Sequence, residues 1–271
     1  MDALTVEGAA PSRAAGPDVG ITARWLGRVE YRTAWDLQRR LAAARADGRV
    51  GDQLLLLEHP PVLTLGRQAD EAHVLAPPAL LEARGIEVVR VERGGEVTYH
   101  GPGQLVAYPV VELASRGLLL RPLVRALEAA MADTCVAFGV DAGRREGHPG
   151  CWCDPDGPRP RKIGALGIRV ERGVSYHGVA LNVSTDLRDF DLIDPCGMPG
   201  LASTSIVAER ARRDPSRSER AEAAAGAAVA DAAAVFARAL GRRLSTGIAG
   251  LLPPEAEPAA EIAALRRLLD G

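Results

Sequence analysis

Apolar positions along the chain follow two periods. In "YRTAWDLQRRLAAARADG" (31–48) they recur at helical spacing, and Gly48 supplies a stop. In "QLLLLEHPPVLTLG" (53–66) two continuous apolar runs flank His59, Pro60 and Pro61, which predicts two short buried strands. "PPALLEARG" (77–85) predicts a short helix opened by proline and closed by Gly85, and "IEVVRVE" (86–92) alternates like a strand. The stretch 96–113 reads as strand, glycine-rich loop, strand. "RPLVRALEAAMADTCVAFGV" (121–140) is the clearest helical pattern, and 161–170 with 174–183 predicts a β-hairpin turning at "ERG". The region 211–244 starts charged and becomes an Ala-rich helical run, 253–260 reads as a linker, and 260–269 as a last short helix. Strands and helices mix without a regular β-α-β period, so the pattern predicts one α+β (mixed α/β) domain rather than a doubly wound nucleotide fold. Its expected extent is 21–248, after a flexible lead-in over 1–20 and before a tail over 249–271.

Composition narrows the function classes. Aromatic residues are only 4%, so Leu, Val, Ile and Ala must build the core. A net charge of −2 argues against a nucleic-acid-binding face. No apolar run reaches the roughly 18 residues of a membrane span. The N-terminal stretch has neither a basic start nor an apolar h-region, so a cytoplasmic protein is expected. In that reducing compartment Cys135, Cys151, Cys153 and Cys196 are core residues, metal ligands or nucleophiles rather than disulfide partners.

Lysine usage changes the picture most. The chain holds 33 Lys plus Arg, and Lys162 is the single lysine among them. Arginine keeps its proton near neutral pH, whereas lysine can release one. A site where a proton must come and go accepts Lys and rejects Arg.

Several stretches could carry chemistry. "RGGEVTYHGPGQ" (93–104) crowds Gly94, Gly95, Gly101 and Gly103 around Thr98, Tyr99 and His100. Such glycines let backbone approach a ligand, or simply build a bulged hairpin. The stretch lacks the GK[ST] of a phosphate loop and the GxGxxG of a dinucleotide site. After Lys162, the small residues Gly164, Ala165 and Gly167 suit either an extended acyl or peptide-like ligand or tight packing on a helix. His177 precedes glycine, as His100 does, so a shared pocket and a structural histidine both remain open. Cys196 sits between Pro195 and Gly197 in a turn-rich loop, where a nearby cation would make it a nucleophile. "HPGCWC" (148–153) spaces Cys151 and Cys153 as C-x-C, which suits a strand better than a zinc site with His148. The arginines 210, 212, 213, 217 and 220 read as a solvated face that could also draw an acidic partner.

Taken in order, "RGGEVTYHGPGQ", "KIGALGIR", "YHGVALN" and "PCGM" resemble the lipoyl(octanoyl) transferase family over about residues 22–207. The resemblance implies the fold of the biotin and lipoate–protein ligase catalytic domains, a mixed β-sheet flanked by helices in a single domain. It implies transfer of octanoyl from octanoyl-acyl carrier protein to a lysine of lipoyl domains, those of the 2-oxoacid dehydrogenase complexes and the glycine-cleavage H protein, by a cytoplasmic monomer. Cys196 matches the acyl-thioester nucleophile, and Lys162 the lysine that lowers its pKa. Arg93, Gly94, Gly95, Glu96, Val97, Thr98, Tyr99 and His100 match substrate-contacting positions, as do Ala165, Leu166, Gly167, Gly178, Val179 and Ala180, with His177 in support. No metal and no cofactor is implied, and no nucleic acid or membrane partner. Gly164 departs from the Ala or Cys more frequent there, and Cys151 and Cys153 from Val. The alternatives are an ATP-dependent lipoate–protein ligase, a non-catalytic binder of acyl carrier protein or lipoyl domains, and a zinc hydrolase.

Overall fold

A computed structural model of the protein describes residues 20–214, 225–250, 252–253 and 256–270. The expected lead-in lies outside them apart from Gly20, as do Arg217 and Arg220 of the charged run.

The run Leu54–Leu57 is apolar at every position because its strand is buried on both faces. Leu54 and Leu56 point into one hydrophobic cluster, Leu55 and Leu57 into another. That strand, β2 (Gln53–Glu58), lies inside an eight-stranded sheet with β1 (Ile21–Arg28), β6 (Gln104–Val110), β7 (Gly143–Arg145), β8 (His148–Cys153), β9 (Arg161–Glu171), β10 (Val174–Asn182) and β11 (Ile248–Ala249), in the order β11-β1-β2-β6-β10-β9-β8-β7. β1 pairs in parallel with β2 and β11, and the other neighbours are antiparallel. A smaller sheet sets β3 (Val62–Leu65) between β4 (Glu87–Arg90) and β5 (Val97–His100). Pro60 and Pro61 break the ladder between β2 and β3, which end in different sheets.

Helices cover both faces of the large sheet. α3 (Leu120–Ala137) and α5 (Ala225–Arg243) pack Leu123, Leu127, Met131, Phe236 and Leu240 against Leu54, Leu105 and Leu181. α1 (Tyr31–Ala46) packs Leu41 against Leu55, Leu57 and Val106 on the other face. The mixed sheet flanked by helices is thus the architecture expected from the sequence. Of two short helices, α2 (Pro78–Ala83) packs Leu81 into the cluster of the small sheet, and α4 (Ile206–Arg213) adds Ile206 to the core beneath α3 and α5. α4 begins earlier than the predicted 211–244 run, because Ser205 accepts a hydrogen bond from Ala208 N at its N-cap.

β1 has no counterpart among the predicted elements, although buried Ile21, Ala23 and Trp25 alternate with Thr22 and Arg24. The terminal helix α6 (Pro258–Asp270) joins the α1 side: Leu265 is fully buried there and Arg24 Nη1 lies 2.7 Å from Glu261 Oε2.

The hairpin predicted from 161–183 is β9–β10, with Ala165 opposite Ala180 and Gly167 opposite Gly178. Its small residues serve close packing. A Cβ on Gly164 would meet Met131 Sδ of α3 at 2.6 Å, and one on Gly178 would meet Ala107 O of β6 at 2.1 Å. Pairing with β10 ends at Gly164, and beyond it the segment 202–204 takes over the edge of β9. Lys162 N donates to Ala202 O (2.8 Å), and Thr204 N donates to Lys162 O (2.9 Å).

Leu265→Ala is expected to lower unfolding free energy by about 2–5 kcal/mol in urea titrations, the cost of emptying a buried leucine site. An unchanged midpoint would mean that α6 contributes nothing to the folded domain.

Candidate active site

The Cys196 loop is held in a conformation its sequence alone would not choose. Cys196 has φ +60° and ψ 24°, a left-handed backbone rare for residues with a side chain, inside the tight turn Pro195–Gly197. The turn is anchored from both sides. Asp194 N donates to His73 O at 2.8 Å, and Gly197 N donates to Asp194 O at 3.0 Å. Gly197, itself at φ +63°, lies against His73 and Glu96, and His73 Nδ1 is 3.2 Å from Glu96 Oε2. Cys196 is partly exposed, whereas Cys135, Cys151 and Cys153 are buried.

Lys162 Nζ donates to Cys196 Sγ at 3.0 Å. The lysine is 8% exposed, and the nearby groups account for its placement. Its ammonium lies 5.2 Å from the centroid of the Trp152 ring on the adjacent strand β8, a cation–π contact. Gly150 makes room for the stem, since a Cβ there would lie 2.9 Å from Lys162 Cε. Farther out, a buried relay pins the segment beside Lys162. His100 Nδ1 donates to Gln104 Oε1 (2.7 Å), Gln104 Nε2 to Asn182 Oδ1 (2.9 Å), and Asn182 Nδ2 to Thr204 O (3.0 Å). The backbone donors Lys162 N and Gly197 N, flanking the pair, are committed to Ala202 O and Asp194 O.

The pair opens on a cavity of about 500 Å³, a volume typical of small-molecule sites. Ala165, Leu166 and Gly167 of β9, Gly178, Val179 and Ala180 of β10, and His177 line it. So do Arg93, Gly94, Gly95, Glu96, Val97, Thr98 and His100. Tyr99 does not: it faces the core of the small sheet, and its hydroxyl donates to Asp189 at 2.7 Å. The alternation of β5 turns Thr98 and His100 to the cavity and Tyr99 away from it. Arg93 is buried and braces the loop, donating to Thr64 O (2.7 Å), Thr64 Oγ1 (2.9 Å) and Gly94 O (3.0 Å). Gly94 N in turn donates to Ile168 O of β9, and a Cβ on Gly167 would meet Gly94 O at 2.7 Å. Gly167 therefore serves the close approach of two backbones.

Sequence reasoning passed over Trp152, Gln104, Asn182 and the cavity-lining Tyr31, Tyr108, Leu120 and Val124. Trp152 was visible as one of 3 tryptophans, beside the weighed Cys151 and Cys153, but nothing in one dimension sets it against a lysine. His148 stands edge-on to Trp152, with centroids 5.9 Å apart. Among the described residues no three His, Cys, Asp or Glu are grouped to hold a metal ion.

Three buried histidines, two of them lining the cavity, are held toward the neutral form. Burial lowers the His59 pKa to about 4, despite its hydrogen bond with Val29 O. Burial first, then neighbouring His59, lowers His100 to about 3. Burial also lowers His177, against the opposing pull of Glu92, whose Oε1 lies 3.8 Å from Nε2. His59 Nδ1 donates to Val29 O (2.6 Å), so Nε2 accepts from the Tyr108 hydroxyl (2.8 Å). His177 has φ +56°, which turns it out of the regular pleat of β10.

The model of the lipoyl protein ligase A/B catalytic domain matches residues 30–219 of the chain. The chain belongs to this family. Within it, the chain is 50% identical over 192 residues to an octanoyltransferase of Acidobacterium capsulatum, covering 68% of this chain and 78% of that one. It is 48% identical to an octanoyltransferase of Chloroflexus aurantiacus (70% and 84% covered) and 47% to one of Thiobacillus denitrificans (69% and 81%). The chain is therefore an octanoyltransferase-type member of the family. Solved structures share the fold: a lipoate-protein ligase A bound with ATP superposes with a TM-score of 0.60 at 16% identity, covering 93% of this chain and 95% of that one. The bi-partite lipoate protein ligase of Thermoplasma acidophilum superposes at 0.56 and 18%, covering 92% of each chain.

Two measurements follow from this geometry. Brief iodoacetamide treatment of the native protein is expected to modify Cys196 ahead of the other cysteines, read by peptide mass; equal labelling would mean that the buried thiols are open to solvent. The buried histidines are neutral when folded and take up protons on unfolding below pH 6.5, so stability is full above that pH and falls as pH drops toward their folded values. Urea unfolding at about pH 5 should show a free energy lower by about 2 kcal/mol or more than at about pH 7, and no change would mean that these rings are not buried neutral.

Proposed function

We propose that the chain transfers an octanoyl group from octanoyl-acyl carrier protein to the lysine of a lipoyl domain through a thioester on Cys196, and so acts early in making protein-bound lipoate. The observation that carries this is the 3.0 Å contact of Lys162 Nζ with Cys196 Sγ at the wall of a cavity of about 500 Å³. Octanoyltransferases at 45–50% identity support it. The acceptors would be the lipoyl domains of 2-oxoacid dehydrogenase complexes and the glycine-cleavage H protein.

The Cys196 thiolate attacks the carbonyl carbon of the incoming thioester. The bond to the carrier's pantetheine sulfur breaks, and that sulfur takes a proton from the Lys162 ammonium. Neutral Lys162 then accepts a proton from the acceptor amine as its nitrogen attacks the acyl-enzyme. The C–Sγ bond breaks, and thiolate and ammonium are restored. An arginine would provide the charge but not the proton, which accounts for the only lysine in the sequence. The cavity would take the acyl chain, and burying about six methylenes at roughly 0.8 kcal/mol each contributes about 5 kcal/mol.

Incubation with octanoyl-acyl carrier protein should raise the intact mass by one octanoyl group, on Cys196, without ATP. Lys162→Arg should slow transfer to a lipoyl domain by about 100-fold or more. Lipoyl-domain modification that requires ATP and survives Cys196→Ser would assign the chain to the ligases instead. A protein that binds carrier but never gains mass would be a non-catalytic binder.

A further inference from the structure

The start of α3 breaks three local rules at once. Its N-cap is Leu119, which makes no side-chain cap bond, and its first turn holds no acidic residue. Arg121 stands there instead, a cation at the positive end of the helix dipole. Leu119 is 74% exposed and Leu120 45%, although few large apolar side chains among the described residues stand in water. Such violations concentrate where a surface serves something other than stability.

Their location says what that is. Leu120 and Val124 line the cavity that holds Cys196, so the first two turns of α3 form its rim. At about 100° per residue, Arg121 and Arg125 lie on the same flank of α3, outside Val124. Both are exposed, and among the described residues neither has a carboxylate partner. Arg145 of β7 has none either: its guanidinium lies over Trp152 at 5.6 Å and donates to Pro155 O. Arg67, exposed beside cavity-lining Gln68, adds a fourth unmatched cation at the rim. Of the carboxylates nearby, Glu128 is committed to Arg144 and Gly150 N, Glu96 to His73 and Asp154 to Arg159 N, which leaves Glu146 and Asp156 as the uncommitted acids among the described residues. In a chain of net charge −2, this is a local excess of positive charge around an apolar tip.

We infer that this rim is the docking surface of the acyl donor, an acidic carrier protein whose negative face meets Arg121, Arg125 and Arg145 while an apolar contact covers Leu119 and Leu120. The inference rests on the acyl transfer proposed above and adds where, and by what charge, the carrier is held. Charge pairs at such a rim raise association rate and specificity more than they add to the chemical step. An acidic acceptor domain using the same rim is the competing occupant.

The test is Arg121→Glu with Arg125→Glu, assayed on three reactions. Acylation of Cys196 by octanoyl carried on acyl carrier protein should fall about tenfold or more in kcat/KM and lose its salt dependence. Acylation by octanoyl-pantetheine, which lacks the carrier's protein face, should be unchanged. Transfer from the preformed acyl-enzyme to a lipoyl domain should also be unchanged. The Arg121→Glu substitution places the favoured sign of charge at the helix start, so Tm should hold or rise, which separates a docking defect from misfolding. Unchanged carrier kinetics, or a loss confined to the acceptor step, would overturn the inference. Failure of the unsubstituted protein to become acylated by octanoyl-pantetheine would instead strike the proposed function.

Discussion

A lysine ammonium kept almost out of water beside a cysteine sulfur is the constraint around which this structure is arranged. A buried charge is tolerated only where neighbouring groups replace its hydration. Here the sulfur at 3.0 Å and the Trp152 ring at 5.2 Å do so, and each needs its own scaffold. Trp152 is set by the antiparallel register of β8 on β9. The sulfur is set by a turn in left-handed conformation, clamped through Asp194 and Gly197 to the segment around His73 and Glu96. The lysine backbone is paired on one side by β8 and on the other by residues 202–204.

Behind this pair lies a chain of neutral polar groups. The chain from His100 through Gln104 and Asn182 to Thr204 O ties β5, β6 and β10 to the strand edge that carries Lys162. Burial favours the neutral form of His59, His100 and His177, and the rings of His59 and His100 add hydrogen bonds without adding repulsion to the ammonium. The glycines work by absence of a side chain. Gly150 admits the lysine stem, and Gly167 and Gly178 admit neighbouring backbone. Several glycines that read as ligand-facing are therefore packing devices that give the cavity its wall.

Much of the architecture was legible in one dimension, because burial leaves a periodic imprint. The doubly buried β2, the helices α1 and α3, and the β9–β10 hairpin all announce themselves by apolar spacing and turn residues. β1 was missed because the small Ala23 weakens the apolar side of its alternation, and the start of α4 because it depends on the Ser205 cap rather than on apolar spacing. The proposed nucleophile and its cation were legible for a chemical reason: a lone lysine in an arginine-rich chain and a cysteine between proline and glycine are both out of character with their surroundings.

What the sequence determined by itself, then, was most of the elements and the candidate pair Lys162 and Cys196, since periodicity and residue chemistry are local properties. Only the tertiary structure decided that Lys162 and Cys196, 34 residues apart, touch. It also decided that Tyr99 faces the core while its neighbours face the cavity, that Trp152 sits against the ammonium, and that the cationic start of α3 borders the site. These depend on strand register and on which loop crosses which edge, and they arise from contacts between residues far apart in the chain.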